Sequence, residues 1–171
     1  MSQLIRREDV IKVLEDIAST IEKNKDYLTE LDSAIGDGDH GINLNRGFTE
    51  VRRKLDELKE NEDIGAILKI VGSTLISSVG GSVGFLYGTA FTRAGKAVEN
   101  KRQIDIKDLA KLFDAAEKGI MDVGGARLGD KTMLDAIHPA VETLKEAANK
   151  NLTLIKALEK SVKAAEHGVK T

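Results

Sequence analysis

Residues 31–48 read LDSAIGDGDHGINLNRGF, a stretch that places three aspartates, one histidine and four glycines between two segments of helical periodicity. Apolar residues recur every three or four positions before it, from Val10 to Leu28, and after it, from Phe48 to Leu58. An acidic, glycine-rich connection between two amphipathic helices is therefore the feature from which the rest of the chain is interpreted.

The same spacing continues through five further segments, at residues 64–75, 83–98, 106–120, 130–144 and 152–169. Pro139 is expected to kink the sixth helix. No segment alternates polar and apolar residues for long enough to indicate a strand. The sequence therefore predicts an all-α fold of seven helices.

The connections between these helices are of two kinds. Those after the second, fourth and sixth helices are polar: KENED (59–63), ENKRQID (99–105) and NKN (149–151). Those after the first, third and fifth are rich in glycine: GDGDHG (36–41), GGSVG (80–84) and GGARLGDKT (124–132). Because short connections make neighbouring helices antiparallel, all three glycine-rich connections are expected at one end of the bundle.

These glycine-rich connections are suited to bind an anion. Glycine lets the backbone adopt positive φ or approach a ligand closely. Residues 80–84 and 124–132 also lead into helix N-termini, whose free N–H groups and positive dipole favour phosphate. The alternative is that the glycines only end helices and form tight turns. Their convergence at one end favours phosphate binding.

Asp32, Asp37 and Asp39 indicate a metal site. Carboxylates so close together repel one another unless a cation neutralises them, and Mg²⁺ is the ion that proteins hold through carboxylates and substrate phosphates. Structural alternatives remain: Asp32 could cap a turn, Asp37 could form a turn with Gly38, and Asp39 could be the N-cap of the second helix. The spacing does not match a calcium-binding EF-hand loop.

Other polar residues give weaker signals. The glycine spacing of 124–132 approaches that of a P-loop, but Asp130 interrupts the Gly-Lys junction, so Asp130 is instead expected to be the N-cap of the sixth helix. His40 could bind a phosphate or a carboxylate, or serve in capping or packing. His138 is expected to be structural and His167 to be solvated. No catalytic nucleophile is expected, because no serine or cysteine stands in a recognisable triad motif.

The composition is that of one soluble domain. The chain has 171 residues, 41% of them hydrophobic, and a formal net charge of -2. That charge gives no field that would attract nucleic acid or an anionic membrane. The absence of cysteine, of a signal peptide and of any apolar run of roughly 18 residues favours a cytoplasmic location.

Three motifs resemble those of a known family: LDSAIGDGDHGINLNRGF, SSVGGSVGFLYGTAF and GDKTMLDAIHPAVETL. They are similar to the nucleotide-binding L subunit of bacterial dihydroxyacetone kinases that depend on the phosphotransferase system, a DAK phosphatase-like domain. The resemblance implies an up-and-down antiparallel helical barrel, with eight helices in the family and about seven in this chain. It also implies that residues 1–171 form a single nucleotide-binding domain.

The resemblance further implies the ligands and their contacts. The family holds ADP or ATP and two Mg²⁺ ions at one end of the barrel. Its metal-binding aspartates match Asp32, Asp37 and Asp39. Its nucleotide contacts fall on His40, Asn43, Gly81, Ser82, Gly124 and Thr132.

In that family the nucleotide is a bound cofactor and not an exchanged substrate. A phosphohistidine of the M subunit rephosphorylates ADP in place, and the γ-phosphoryl group then passes to dihydroxyacetone on the K subunit. The resemblance therefore implies a phosphotransferase subunit with K and M partners. Nucleic acid and membranes are not expected as partners, and a homodimer is one option for its assembly.

The chain also departs from the family pattern. Val83 replaces a hydroxyl residue near the phosphates, Gly125 stands where lysine is common, and Arg127-Leu128 replace an acidic-proline pair. The family's C-terminal loop and last helix, expected after residue 171, are not present in the sequence. These departures leave a second function open, that of a non-catalytic nucleotide-binding paralogue that regulates a partner. A purely structural helical bundle is the third interpretation, and the glycine loops and aspartates disfavour it.

Overall fold

The computed structural model describes residues 4–171, and helices dominate it. The seven helices are α1 (Arg7–Ser33), α2 (His40–Asp56), α3 (Ile64–Ser78), α4 (Gly81–Ala97), α5 (Ile106–Gly124), α6 (Leu134–Asn149) and α7 (Leu154–Gly168). The prediction of an all-α fold with seven helices is confirmed. No helix among the described residues combines the length and the apolar character needed to cross a membrane.

Two short strands, β1 (Ile5–Arg6) and β2 (Gln103–Ile104), form one antiparallel pair in which Ile5 lies opposite Ile104. The prediction that the chain has no strands is wrong on this point, because two-residue strands are too short to produce an alternating pattern. The pair ties the beginning of α1 to the segment that precedes α5.

Each helix packs mainly against the helices that adjoin it in the sequence, which is the up-and-down arrangement. Two large clusters of buried side chains fill the interior. One joins α1, α2 and α3 around Leu14 and Phe48, and the other joins α3 to α7 around Ile64 and Leu144. A smaller cluster between α4, α5 and α6 consists of Ala90, Ile120 and Leu134. This last cluster lies directly beneath the glycine-rich connection between α5 and α6.

Helices α3 and α4 approach each other through two pairs of glycines. A Cβ atom added to Gly72 would lie 2.6 Å from the carbonyl oxygen of Gly88, and one added to Gly65 would lie 2.6 Å from that of Gly95. Any larger residue at these positions would force the two helices apart. Because only Val79 and Gly80 connect α3 to α4, this contact also fixes the position of the second glycine-rich connection.

Pro139 lies inside α6, which continues past it to Asn149. Proline has no N–H group to donate to the carbonyl oxygen of Asp135 four residues earlier. The backbone of Gly168, at the end of α7, packs against that same carbonyl. The missing hydrogen bond thus lies where α6 and α7 come into close contact. The kink expected at Pro139 stays a prediction.

Apolar side chains are exposed along α1 and α7. They are Val13, Tyr27 and Leu31 on α1, and Ile155, Leu158 and Val162 on α7. Within residues 4–171 these two helices make no extensive contact with each other. The first and last helices therefore each carry an unshielded apolar stripe among the described residues.

Candidate functional site

The acidic connection between α1 and α2 is organised by Asp32. One oxygen of its carboxylate, Oδ2, accepts the backbone N–H of Asp39 at 3.0 Å and that of His40 at 3.3 Å. Gly38 adopts a φ of 70° at a bend of the chain between α1 and α2. Asp39 occupies the N-cap position of α2, but its own side chain caps nothing. Asp32 therefore holds the start of α2 and leaves the carboxylates of Asp37 and Asp39 unused.

The environment of Asp32 favours its ionised form. Desolvation raises the pKa of this carboxyl, but the backbone N–H groups of His40, Asp39 and Gly38 outweigh that effect, so its pKa lies below the ordinary value of 3.8. The group is therefore anionic at neutral pH, as a metal ligand must be.

The three aspartates converge in space. One carboxylate oxygen from each of Asp32, Asp37 and Asp39 lies within 4.8 Å of the others. No lysine, arginine or histidine within residues 4–171 forms an ion pair with any of them. Three uncompensated carboxylates at this distance suit a hard, oxygen-preferring cation such as Mg²⁺.

The helices that start at the two ends of the bundle differ in their caps. At the end with polar connections, Asp63, Asp105 and Thr153 each accept a backbone N–H bond and cap α3, α5 and α7. At the glycine-rich end, the N-cap residues of α2, α4 and α6 provide no such bond. The N-cap of α4 is Gly80, which has no side chain at all. The N-terminus of α4 is thus free to bind an anion.

The connection between α5 and α6 is held by carboxylates that point back into it. Gly125 ends α5 in the left-handed conformation with a φ of 67°. Asp130 accepts the N–H of Arg127 at 2.7 Å, and Asp135 accepts those of Gly129 at 2.6 Å and Thr132 at 3.0 Å. The prediction that Asp130 is the N-cap of α6 is wrong, because its side chain closes the loop and α6 begins only at Leu134.

Asp135 was not identified by the sequence analysis, although it determines the shape of this loop. The N–H groups of Gly129, Thr132 and Lys131 lower its pKa, and this effect exceeds the opposing effect of desolvation. The only sequence signal is an acidic residue in the first turn of a helix, which is too common to single out.

Three of the expected nucleotide contacts meet in one cavity of about 470 Å³. Ser82 from α4, Gly124 from α5 and Thr132 from the α5–α6 connection all line it. The rest of its wall is apolar and consists of Phe85, Leu86, Ile120, Val123, Ala126, Met133 and Leu134. A mostly apolar pocket lined by a few polar groups is typical of a small-molecule site.

The other expected contacts lie next to this cavity or to the aspartates. His40 and Asn43 lie in the first turn of α2, and Gly81 begins α4 with a φ of 68°. Asn43 Oδ1 accepts a hydrogen bond from Arg46 at 2.9 Å. The guanidinium of Arg46 lies 3.8 Å from the position of a Cβ atom at Gly80. The N-terminus of α2 therefore faces the connection between α3 and α4.

The remaining residues that the sequence analysis singled out fall outside this site. Val83 is buried in the core. His138 Nδ1 lies 2.6 Å from Oε1 of the buried Glu117, which supports its expected structural role. His167 is exposed, as expected.

Comparison with known proteins places these features in a family. Residues 34–171 match the model of the DAK2 domain. The chain is 40% identical to the ADP-binding subunit DhaL of the PEP-dependent dihydroxyacetone kinase of Escherichia coli, over 95% of this chain and 77% of that one. It is 47% identical to the ADP-binding subunit DhaL of a second such kinase, from Listeria innocua, over 77% of this chain and 62% of that one.

A solved structure shares the fold. It is the dihydroxyacetone kinase of C. freundii in complex with AMP-PNP and Mg²⁺, with a TM-score of 0.74 and 27% sequence identity. The match covers 99% of this chain and 30% of the C. freundii chain. The present chain therefore corresponds in fold to less than a third of that larger kinase.

Proposed function

Because the chain belongs to the DAK2 domain family, we propose that it is the nucleotide-carrying subunit of a dihydroxyacetone kinase. In this proposal a bound ADP receives a phosphoryl group from a phosphohistidine of an M subunit. The resulting ATP passes its γ-phosphoryl to a hydroxyl of dihydroxyacetone on a K subunit, and ADP remains in place. The chain positions the nucleotide and provides no covalent nucleophile.

The observation that carries the proposal is the group of three carboxylates beside a free helix N-terminus. Asp32, Asp37 and Asp39 converge without a cationic partner among the described residues, at the end of the bundle where α4 begins without a side-chain cap. Carboxylates would hold two Mg²⁺ ions, which neutralise the charge of the β and γ phosphates. The N–H groups of Gly81 and Ser82 would bind the phosphates directly.

The cavity between α4 and α5 suits the base of the nucleotide. Its apolar wall, with Phe85 and Leu86 on one side and Val123 on the other, would contact the faces of an adenine ring. Thr132 and Gly124 lie at the same cavity and would bind its polar edge or the ribose. In this arrangement the nucleotide extends from the cavity, past the start of α4, to the aspartates.

Exposed apolar residues at the same end support the approach of partner subunits there. Ile35, Ile42, Phe85, Val123 and Leu128 are all exposed and belong to the connections or helix ends that form the glycine-rich end. The side chain of Ile35 is 99% exposed beside the acidic loop. Several large apolar side chains exposed at one end of a bundle are typical of an interaction surface.

One observation favours a second function, that of a non-catalytic regulatory paralogue. Val83 supplies no hydroxyl at the start of α4, and its side chain is buried. A chain that binds nucleotide without promoting transfer would be a regulatory paralogue, the alternative considered above. Phosphoryl turnover in the presence of K and M partners separates the two functions.

The first experiment measures bound nucleotide and magnesium. The purified chain is denatured, and adenine nucleotide and Mg²⁺ are measured in the supernatant, before and after incubation with ADP and Mg²⁺. We expect close to one nucleotide per chain in the wild type and almost none in the double variant Asp37→Asn, Asp39→Asn. The matched control is Asp26→Asn, Asp56→Asn, which removes two exposed carboxylates outside the cluster.

Two outcomes are informative about the function. If the wild type and the control retain nucleotide and the Asp37 and Asp39 variant loses it, the chain is supported as a cofactor-carrying subunit. Phosphoryl turnover with K and M partners is then measured. The absence of nucleotide from all three proteins, even after incubation, contradicts the proposal.

A further inference from the structure

Arg46 lies in the second turn of α2, directly across from the connection between α3 and α4. Its Nη2 donates a hydrogen bond to Asn43 Oδ1 at 2.9 Å. The same Nη2 atom lies 3.8 Å from the position of a Cβ atom at Gly80, the residue that precedes the free N-terminus of α4. The guanidinium group is therefore placed beside the backbone that the proposed function assigns to phosphate binding.

The charge of Arg46 is not paired with a carboxylate within residues 4–171. Further along the same helix, Arg52 pairs with Glu22 at 2.9 Å, and Arg53 pairs with Glu57 at 2.6 Å. Arg46 is exposed, and its hydrogen bond to Asn43 uses only one of its five N–H donors. Its remaining donors are available to an anion at the glycine-rich end.

The bond from Arg46 also fixes how Asn43 can act. The amide oxygen of Asn43 points toward Arg46, so its NH₂ group, with two N–H donors, is turned away from Arg46 and is free to donate to a ligand. Donors are what a phosphate oxygen requires, and an amide in the opposite orientation would repel it.

We propose that Arg46 binds the terminal phosphate of the nucleotide and orients Asn43 to donate to the same phosphates. This proposal rests on the proposed function, since it requires a nucleotide whose phosphates lie at Gly81 and Ser82, directly after Gly80. The guanidinium of Arg46 reaches the phosphates from α2, on the side of Gly80. Its positive charge therefore adds to that of the cations proposed to bind the three aspartates. A guanidinium at this place stabilises the negative charge of the phosphoryl group that is transferred.

The test compares the affinities of the full chain for AMP, ADP and ATP in the presence of Mg²⁺, measured by titration calorimetry after bound nucleotide has been removed. The variants are Arg46→Gln and Arg46→Lys. The matched control is Arg52→Gln, which removes an arginine of the same helix that bonds Glu22 and Ser19 instead. Thermal unfolding of each variant reports whether the fold is intact.

We expect Arg46→Gln to weaken ADP and ATP binding by about tenfold or more, while AMP binding changes by less than about twofold. Arg46→Lys should recover part of the loss, because it keeps the charge but not the fork of donors. The Arg52→Gln control should bind all three nucleotides like the wild type.

Three results would overturn the proposal. If Arg46→Gln binds ADP and ATP like the wild type, Arg46 does not contact the phosphates, although the proposed function stands. If it weakens AMP and ADP equally and also lowers the unfolding temperature, its role is structural. If the wild type binds no nucleotide, the proposed function fails, and the role of Arg46 fails with it.

Discussion

Asp32 differs from its two neighbours in the acidic cluster because its carboxylate already has a structural task. It accepts two backbone N–H groups at the start of α2, whereas the side chains of Asp37 and Asp39 make no hydrogen bond within the described residues. The cluster therefore consists of one fixed ligand, which is part of the fold, and two carboxylates that only a cation would hold in place.

This difference predicts unequal effects on stability in the absence of metal. In a chelating buffer, Asp32→Asn should lower the midpoint of urea unfolding, because an amide accepts the N–H groups of Asp39 and His40 less strongly than a carboxylate. Asp37→Asn should leave the midpoint unchanged or raise it, because it relieves repulsion between carboxylates. Equal midpoints for the two variants would contradict the capping role of Asp32.

Asp135 gives a prediction for the dependence on pH. The N–H groups of Gly129 and Thr132 lower the pKa of Asp135. The contribution of this carboxylate to the stability of the loop is therefore complete above the ordinary pKa of 3.8 and is lost as pH falls through the lowered pKa. Amide hydrogen exchange at Gly129 and Thr132, corrected for intrinsic rates, should be slow near neutral pH and become faster as pH falls through the lowered pKa of Asp135. Asp135→Asn should show the faster exchange already near neutral pH, whereas exchange in α3 stays unchanged.

At the scale of the helices, the pair α3–α4 has the most extensive contact, and it depends on glycine. Gly72→Ala should destabilise the chain by about 1–3 kcal/mol, even though alanine is the better helix former, because the added methyl group meets the backbone and Thr92 of α4. Chemical unfolding measures this loss. Ser73→Ala, on the exposed side of the same helix, is the control and should be nearly neutral. A stable Gly72→Ala variant would mean that the two helices can separate without cost.

The sequence predicts helices well and their boundaries less well. Periodicity identifies all seven helices, and the polar connections contain the caps Asp63 and Asp105. The start of α6 was misplaced because Asp130 resembles an N-cap, while the residue that bonds the loop, Asp135, lies within the helix itself. The strands β1 and β2 could not be predicted, because a two-residue pairing depends on where the tertiary fold brings residues 5 and 104 together.

The sequence also predicts part of the candidate site: its acidic cluster and its glycine-rich connections, but not the position of Arg46. The grouping of Asp32, Asp37 and Asp39 follows from their spacing, and the shared end of the glycine-rich connections follows from antiparallel packing. The position of Arg46 against Gly80 depends on the angle between α2 and the α3–α4 pair, which no local pattern specifies.

For the whole molecule, the exposed stripes on α1 and α7 predict a large apolar patch. An apolar dye should bind the chain, and the double variant Ile155→Ser, Val162→Ser should bind less of it, while the unfolding free energy changes by less than about 0.5 kcal/mol. Lys156→Ser, Lys163→Ser, on the polar side of α7, should leave dye binding unchanged. Equal dye binding by both double variants would show that this stripe is not the patch.

The short connection between α3 and α4 has a consequence for the order of folding. Contacts between helices that are adjacent in sequence require little loop-closure entropy, so a chain of this topology should fold quickly, within microseconds to milliseconds. The α3–α4 hairpin, closed by Val79 and Gly80 and packed through glycines, is well placed to form the nucleus. Mutations in it would then slow folding, whereas mutations in α7 would mainly speed unfolding. The backbone at Gly81, to which the proposed function assigns phosphate binding, would be in place before the last helices dock.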